Sequence, residues 1–406
     1  MKNAQEMKVE NRLNVLRLLR RESLSRSELA QRTGLTRAAM SLIVGNLLAD
    51  GMVVETARRK SPAGRRPVPV ELNPEYAHSL GLTISRTGAE AGVADFRGQL
   101  LCRVPIEISG LSRKESLLRM KACIRELMRT HAAPSGRWLG LGISTPGPVD
   151  VAAGTILNPP NFDIWHNVCL RNEMKDLGLG NVLLENNAQA LTMAENTFGA
   201  GRQLQSFVLL EIEAGIGAGI VSKDGLYSGW RGFGNEIGHT SIDFNGPLCS
   251  CGLNGCVELY ASVPRLLARA QKKDRRIADW QIFMDRATEG DSFCRDLLQE
   301  QARALGAVVV NVINVLELDA VVLTGDVLYR GETLRAEIER ILNETAINRW
   351  LRHVPVLLST LGKRPELMAA AGIPAEKFFQ GLVEPTPART KRKKAQKRKK
   401  ILEGVR

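Results

Sequence analysis

The sequence predicts an α/β protein in three parts: an N-terminal winged helix-turn-helix over residues 1–75, a large body over 76–380, and a basic tail over 381–406. Three observations carry this. Residues 1–75 read as helices followed by two β-like runs. From Tyr76 onward, short apolar runs ending in Gly/Pro turns alternate with helical stretches. The net charge of +13 on 406 residues is concentrated at the two ends, with +6 on residues 1–75, +8 on 381–406 and a nearly neutral 305 residues between. A positive end on a neutral body points to a polyanion partner for the end and a small ligand for the body.

Length and composition bound the classes. A chain of 406 residues exceeds one ordinary core. With 44% hydrophobic and 24% charged residues it reads as soluble and globular. Its most apolar run, from Gly306 to Gly325, is broken by Asn311, Asn314, Glu317 and Asp319, so no bilayer span and no membrane partner is expected. The opening residues have no apolar h-region, which predicts no secretory signal and a cytoplasmic location. Cysteines stay reduced there, and clusters of them lean towards metal.

The first element is a helix carrying Val9, Leu13, Leu16 and Leu19 at helical spacing. Ser25 or Ser27 can cap a second helix through Glu28, Leu29 and Ala30. Thr33-Gly34 makes a tight turn in which Gly34 supplies a positive φ, and Thr36 caps a third helix with Met40, Ile43, Val44, Leu47 and Leu48 on its buried face. The exposed opening of that helix, Thr36, Arg37, Ala38 and Ser41, is small and polar with one guanidinium, which suits a major groove. Two β-like runs, MVVET and VPVEL, flank a loop holding Arg58, Arg59, Lys60, Arg65 and Arg66, a wing able to reach phosphates or the minor groove. Arg26, Thr36, Arg37, Ala38, Ser41, Arg65 and Arg66 are therefore the candidate contacts to double-stranded DNA.

In the body, HSLGLTISRTGAEAGVADFRGQLL reads as a hairpin, RWLGLGISTPGPVD as a buried strand ending in a Gly/Pro turn, and NVLLENNAQAL as a strand entering a helix at Asn186-Asn187. FVLLEIEAGIGAGIVSKDGLYSG adds two strands about a Gly-rich turn. Helical stretches fall at Ser112–His131 and Pro264–Ala270.

Three of the seven cysteines lie in GHTSIDFNGPLCSCGLNGCVE, Gly238 to Glu258. His239, Cys249, Cys251 and Cys256 have the spacing H-x9-C-x-C-x4-C. Four such donors, with Gly252 and Gly255 permitting a tight loop, suit a tetrahedral structural zinc with no open position. A redox pair and plain buried thiols are the alternatives, and the histidine in the same loop favours metal. Cys102, Cys123, Cys169 and Cys294 are scattered singly and read as small core residues.

The ordered set STPGPVD (Ser144–Asp150), PPNF (Pro159–Phe162), LENN (Leu184–Asn187), GIGAG (Gly215–Gly219), NEIGH (Asn235–His239) and CSCGLNGCVE (Cys249–Glu258) resembles the ROK family of repressors, open-reading-frame proteins and kinases. The resemblance covers about residues 76–380 and implies a two-lobed actin-like ATPase fold, and its zinc motif coincides with the cysteine cluster. The preceding winged helix is similar to that of the family's xylose-repressor and N-acetylglucosamine-repressor regulators. By the same resemblance, Asn161, Asn186, Asn187, Glu236, His239 and Glu258 would hydrogen-bond a sugar.

The phosphoryl-transfer positions depart from the family's kinases in four places. Thr83, Ser85 and Arg86 stand where a strand-ending Asp and Gly-Gly-Thr are usual. Asn187 replaces the catalytic Asp, and an amide cannot take a hydroxyl proton. Glu213-Ala214 opens the second phosphate turn with a carboxylate, and the later glycine-rich stretch is Thr324-Gly325-Asp326. Loss of the base alone removes roughly 10²–10⁴ in rate. No catalytic residue is therefore assigned. Arg86 can still pair with a phosphate, which keeps a phosphorylated sugar open as ligand.

The resulting expectation is a repressor that binds an operator as a homodimer or homotetramer and responds to a sugar or sugar derivative. The alternatives are a bifunctional sugar kinase that also binds DNA and a sensor of a partner protein. The tail run TPARTKRKKAQKRKK adds at most nonspecific phosphate contacts and is expected to be disordered.

Overall fold

The computed structural model of the protein describes residues 3–56, 68–229, 233–347 and 349–387. It divides into two compact units, one formed by Met1–Thr145, Pro160–Leu184 and Ala370–Arg406, the other by Pro146–Pro159 and Glu185–Ala369.

The first unit opens with α1 (Ala4–Arg21), β1 (Leu24–Ser25), α2 (Arg26–Thr33), α3 (Arg37–Ala49), β2 (Val53–Glu55) and β3 (Pro69–Leu72). Local chemistry sets each boundary. Of the two serines able to cap α2, Ser25 does so: its side chain accepts from the Glu28 N–H, and the Glu28 carboxylate accepts from the Ser25 N–H at 2.7 Å. Gly34 ends α2 at φ 69°, a conformation that costs a side chain about 1 kcal/mol or more, and the Thr36 hydroxyl then caps α3. The strands pair in the order β1-β3-β2, with Val53 opposite Leu72 and Leu24 opposite Val70. The two-residue β1 is too short to leave a periodic signal in the sequence.

Val15, Leu16 and Leu19 of α1, Met40, Val44 and Leu47 of α3, and Val53, Val70 and Leu72 of the strands form one core. Val9, placed by spacing on the buried face of α1, is exposed, and Val15 fills that role. This core does not stop at residue 75. It continues through Tyr76, Phe96, Leu139, Phe378 and Phe379, with the Phe96 ring 4.8 Å from Tyr76 and 5.4 Å from Phe379. Arg20 forms a largely buried ion pair with Glu376, and Arg17 Nε donates to the Phe379 carbonyl at 2.8 Å. Truncating a fully buried side chain such as Leu16 or Met40 here would cost about 2–5 kcal/mol.

The unit's main sheet begins with a meander, β4 (His78–Ile84), β5 (Ala89–Ala94) and β6 (Leu100–Ile106), which realises the predicted hairpin with Leu82 opposite Ala91. After α4 (Arg113–Thr130), β7 (Trp138–Thr145) joins parallel to β4, and the strand Val182–Asn186 lies beyond it. Trp138 N–H donates to the Thr386 hydroxyl and Thr386 N–H to the Trp138 carbonyl, both at 2.8 Å, so the start of the tail is held on this unit. The Lys/Arg-rich run from residue 388 lies outside the described residues.

The second unit repeats the plan. Phe207–Ile212, Ile216–Ser222 and Gly225–Tyr227 form an antiparallel meander, Ala320–Gly325 adds parallel to the first of them, and Val356–Leu358 adds parallel to that. Its core joins Leu210, Val321 and Leu323 of the sheet to Leu305 and Ile338 of the helices Ser292–Leu316 and Glu332–Thr345. Among the described residues no helix is long and apolar enough to cross a membrane.

Candidate functional site

The predicted contacts on the helix-turn-helix lie on its surface. Thr36, Arg37, Ala38 and Ser41 are all exposed at the start of α3, and Arg37 makes no hydrogen bond or ion pair among the described residues. Thr36 is committed to its cap, its hydroxyl accepting from Ala39 N–H at 3.2 Å. Leu42, 65% exposed on the same helix, was not singled out from sequence, and an apolar side chain there suits a thymine methyl. Arg26 is tied to Glu55 of β2 at 2.6 Å, which braces α2 against the wing strand. Arg65 and Arg66 lie outside the described residues.

Of the six predicted sugar contacts, Asn161 belongs to the first unit, exposed in a turn at φ 55°. The other five belong to the second. Asn186 caps the helix Asn187–Phe198, its Oδ1 accepting from Ala188 N–H at 2.9 Å, which leaves the amide nitrogen free of that role. Asn187 donates from Nδ2 to the buried Glu211 carboxylate at 2.7 Å. Glu258 accepts from Ile216 N–H at 3.1 Å, lying against the Gly-rich turn. Burial pushes the Glu236 carboxyl above the usual carboxylate range, with His239 pulling it down and Glu258 pushing it up. Asn186 and Glu236 line one cleft with Pro148, Gln189, Phe233 and Asn235. Gln189 and Asn235 were missed from sequence.

The four kinase positions are occupied by groups with other partners. Arg86 donates through Nε and Nη2 to the Pro160 carbonyl at 3.3 and 3.1 Å. Thr83 sits on β4, half-buried, with its hydroxyl 3.5 Å from the Glu90 carbonyl. Burial, reinforced by Asp326 and Glu366, pushes the Glu213 carboxyl up to about 7. Burial also raises Asp326. Both groups therefore keep their protons to higher pH than ordinary carboxyls.

The histidine and cysteines converge as their spacing predicts. The ligand atoms of His239, Cys249, Cys251 and Cys256 all lie within 4.8 Å of one another. Cys249 Sγ is 3.6 Å from His239 Nδ1, and Cys251 Sγ is 3.5 Å from Cys256 Sγ. A tetrahedron with metal–sulfur bonds of about 2.3 Å has edges of roughly 3.8 Å, so this donor set can hold a metal ion. Gly255 makes the loop possible, since at φ 67° a side chain would meet the Asp243 carbonyl at 1.7 Å. Burial pushes Cys256 up to about 12, with hydrogen bonds from its neighbours adding to it. At Cys249 burial is outweighed by hydrogen bonds from the Cys251 backbone, His239 and the other thiols, and the thiol falls to about 7. Of the other cysteines, Cys294 is buried and Cys102, Cys123 and Cys169 are half-buried.

A model described as the ROK family matches residues 79–373. The chain belongs to the ROK family. Its two five-stranded sheets are the family's actin-like sheets, preceded here by the winged helix-turn-helix. The chain is 28% identical to a xylose repressor of Bacillus spizizenii, over 92% of this chain and 96% of that one. It is 30% identical to a glucokinase of Thermotoga maritima over 74% of this chain and 98% of that one. Among solved structures it resembles a ROK family transcriptional regulator, described as a homolog of the Escherichia coli Mlc protein, with a TM-score of 0.77 at 26% identity over 93% of this chain and 98% of that one. The kinase accounts for about three quarters of the chain, and the regulators account for nearly all of it.

Proposed function

We propose that this chain is a sugar-responsive repressor: residues 1–75 read an operator, residues 76–380 sense a sugar, and 381–406 add nonspecific phosphate contacts. The observation that carries the reading is the exposed opening of α3, where Arg37 makes no hydrogen bond or ion pair among the described residues, in a chain that a xylose repressor matches almost end to end. A helix with its basic N-terminal face open is what a major groove requires. Arg37, Ala38 and Ser41 would meet base edges, while Arg26, Arg65 and Arg66 would meet phosphates. Two half-sites call for a homodimer or homotetramer.

Asn161, Asn186, Asn187, Glu236, His239 and Glu258 are the sugar contacts of this proposal. His239, Cys249, Cys251 and Cys256 would hold a zinc ion, with Nδ1 of His239 turned to the sulfurs and Nε2 left for other partners. Zinc would supply structural cross-linking of the loop and no chemistry. Linkage then requires that a sugar preferring one DNA-affinity state shift operator binding.

The glucokinase relative favours a second reading, a sugar kinase that also binds DNA. Asn187 argues against it, because its amide is held by Glu211 and offers no base. Incubation with ATP, magnesium and a hexose and pentose panel separates the two. Sugar phosphorylation would sink the repressor-only reading, and sugar-dependent operator release without phosphorylation supports it.

A further inference from the structure

Gln189 and Asn235 reach the same backbone carbonyl. Gln189 Nε2 donates to Tyr227 O at 3.3 Å and Asn235 Nδ2 donates to it at 2.7 Å. A carbonyl oxygen only accepts, so this contact fixes the orientation of both amides and turns both side-chain oxygens the other way. Gln189 Oε1 and Asn235 Oδ1 are buried and have no hydrogen-bond partner among the described residues. Orphaned buried acceptors cost roughly 1–3 kcal/mol each, which calls for donors from outside the chain.

Both residues line the cleft that also holds Asn186 and Glu236. Its enclosed room is about 30 Å³. That is space for about two water-sized groups, far less than a whole sugar. With Glu236 on the same lining, the two amide oxygens belong to a wall rich in acceptors. Such a wall attracts hydroxyl hydrogens and repels phosphate or carboxylate oxygens. Asn235 sits at φ 70°, in the left-handed region that asparagine enters more readily than most residues.

We infer that Gln189 and Asn235 form an acceptor pair that reads two adjacent hydroxyls of an uncharged sugar. The inference rests on the sugar-sensing reading above and narrows its ligand to neutral polyols carrying a free vicinal diol. Neither residue is a metal ligand or one of the six contacts the family resemblance implies. The diol donates its two hydrogens to the orphaned oxygens and replaces water there.

The test is calorimetric titration of the full chain with neutral aldopentoses and aldohexoses, their monodeoxy forms and their phosphate esters. A neutral sugar should bind most tightly, and Asn235→Gly and Gln189→Met should each weaken it roughly 3- to 10-fold. Glycine is chosen at 235 because it tolerates the positive φ. One monodeoxy sugar should lose affinity for the natural chain and lose no further affinity for the variants, which identifies the hydroxyl being read. That comparison on the natural chain holds even if a variant folds poorly. Unchanged sugar affinity in both variants would mean that water alone fills the pair, and tighter binding of a phosphate ester would contradict the acceptor wall. Either result overturns this inference and leaves the sensor reading intact. No binding of any sugar to the natural chain overturns both.

Discussion

Replacing Arg20 by Met should destabilise the whole first unit, because Arg20 sits where the winged helix and the body share a core. Its guanidinium pairs with Glu376 and lies 4.8 Å from the Phe379 ring centre, and the two paired side chains are only 8% and 19% exposed. Removing one partner of a buried pair leaves the other charge uncompensated, at a cost of about 3–5 kcal/mol. Gln380 Nε2 still donates to Glu376 at 3.0 Å, which places the expected loss near the lower end. For a unit of this size that corresponds to a fall in melting temperature of roughly 6–12 °C. Arg20→Met with Glu376→Met should recover most of it, since a volume-matched apolar pair replaces the ions, and the cycle should give a coupling of at least about 2 kcal/mol. The pair also has a pH signature. Burial raises the Glu376 carboxyl, but Arg20 and then Gln380 outweigh it and hold it below the usual range. Stability from the pair is therefore present above the ordinary carboxylate value and lost as the pH falls through the depressed one, so wild type and Arg20→Met should converge in strong acid. Differential scanning calorimetry of the full chain reads all three variants. A shift under about 2 °C, or an N-terminal module that melts in a separate step in the natural chain, would refute the shared-core reasoning.

Three further outcomes follow from named groups. Arg37→Ala should abolish specific operator binding in a mobility-shift assay while sugar titration stays unchanged, and loss of both would make Arg37 structural. Cys251→Ser, or chelation of the natural chain, should remove bound metal measured by mass spectrometry and lower the melting temperature; a metal-free chain with unaltered stability would contradict the site. Glu213 is protonated in the folded chain up to about pH 7 and ionised in the unfolded chain above its ordinary carboxylate range. Its contribution is thus complete at low pH and lost as the pH rises through 7, so Glu213→Gln should flatten the decline in melting temperature between pH 5 and 8, and parallel curves would contradict it.

What the sequence made legible was local. A serine cap for α2, the Gly34 turn and the Thr36 cap involve residues close in the chain, and their chemistry is readable without a fold, although the choice of Ser25 over Ser27 is not. The β4–β5 hairpin and the metal cluster are legible for the same reason, since the loop Gly238–Glu258 brings its own ligands together. The remainder depends on partners far along the chain. Arg17 meets the Phe379 carbonyl across 362 residues, and nothing in the spacing of α1 announces it. Gln189 and Tyr227 stand 38 residues apart, so the two amides that share one carbonyl belong to no motif. The sequence names Arg26 as a candidate DNA contact but not its ion pair with Glu55, which lies on a strand whose pairing only the fold reveals.

Operator affinity of the full chain, measured by fluorescence anisotropy at fixed salt with and without each neutral sugar of the panel, tests the central claim most directly. The account predicts that one neutral sugar changes that affinity by about tenfold or more, with operator DNA changing the sugar's affinity by the same factor, as linkage demands. Operator binding that is indifferent to every sugar, or a sugar that the chain phosphorylates with ATP, would contradict it.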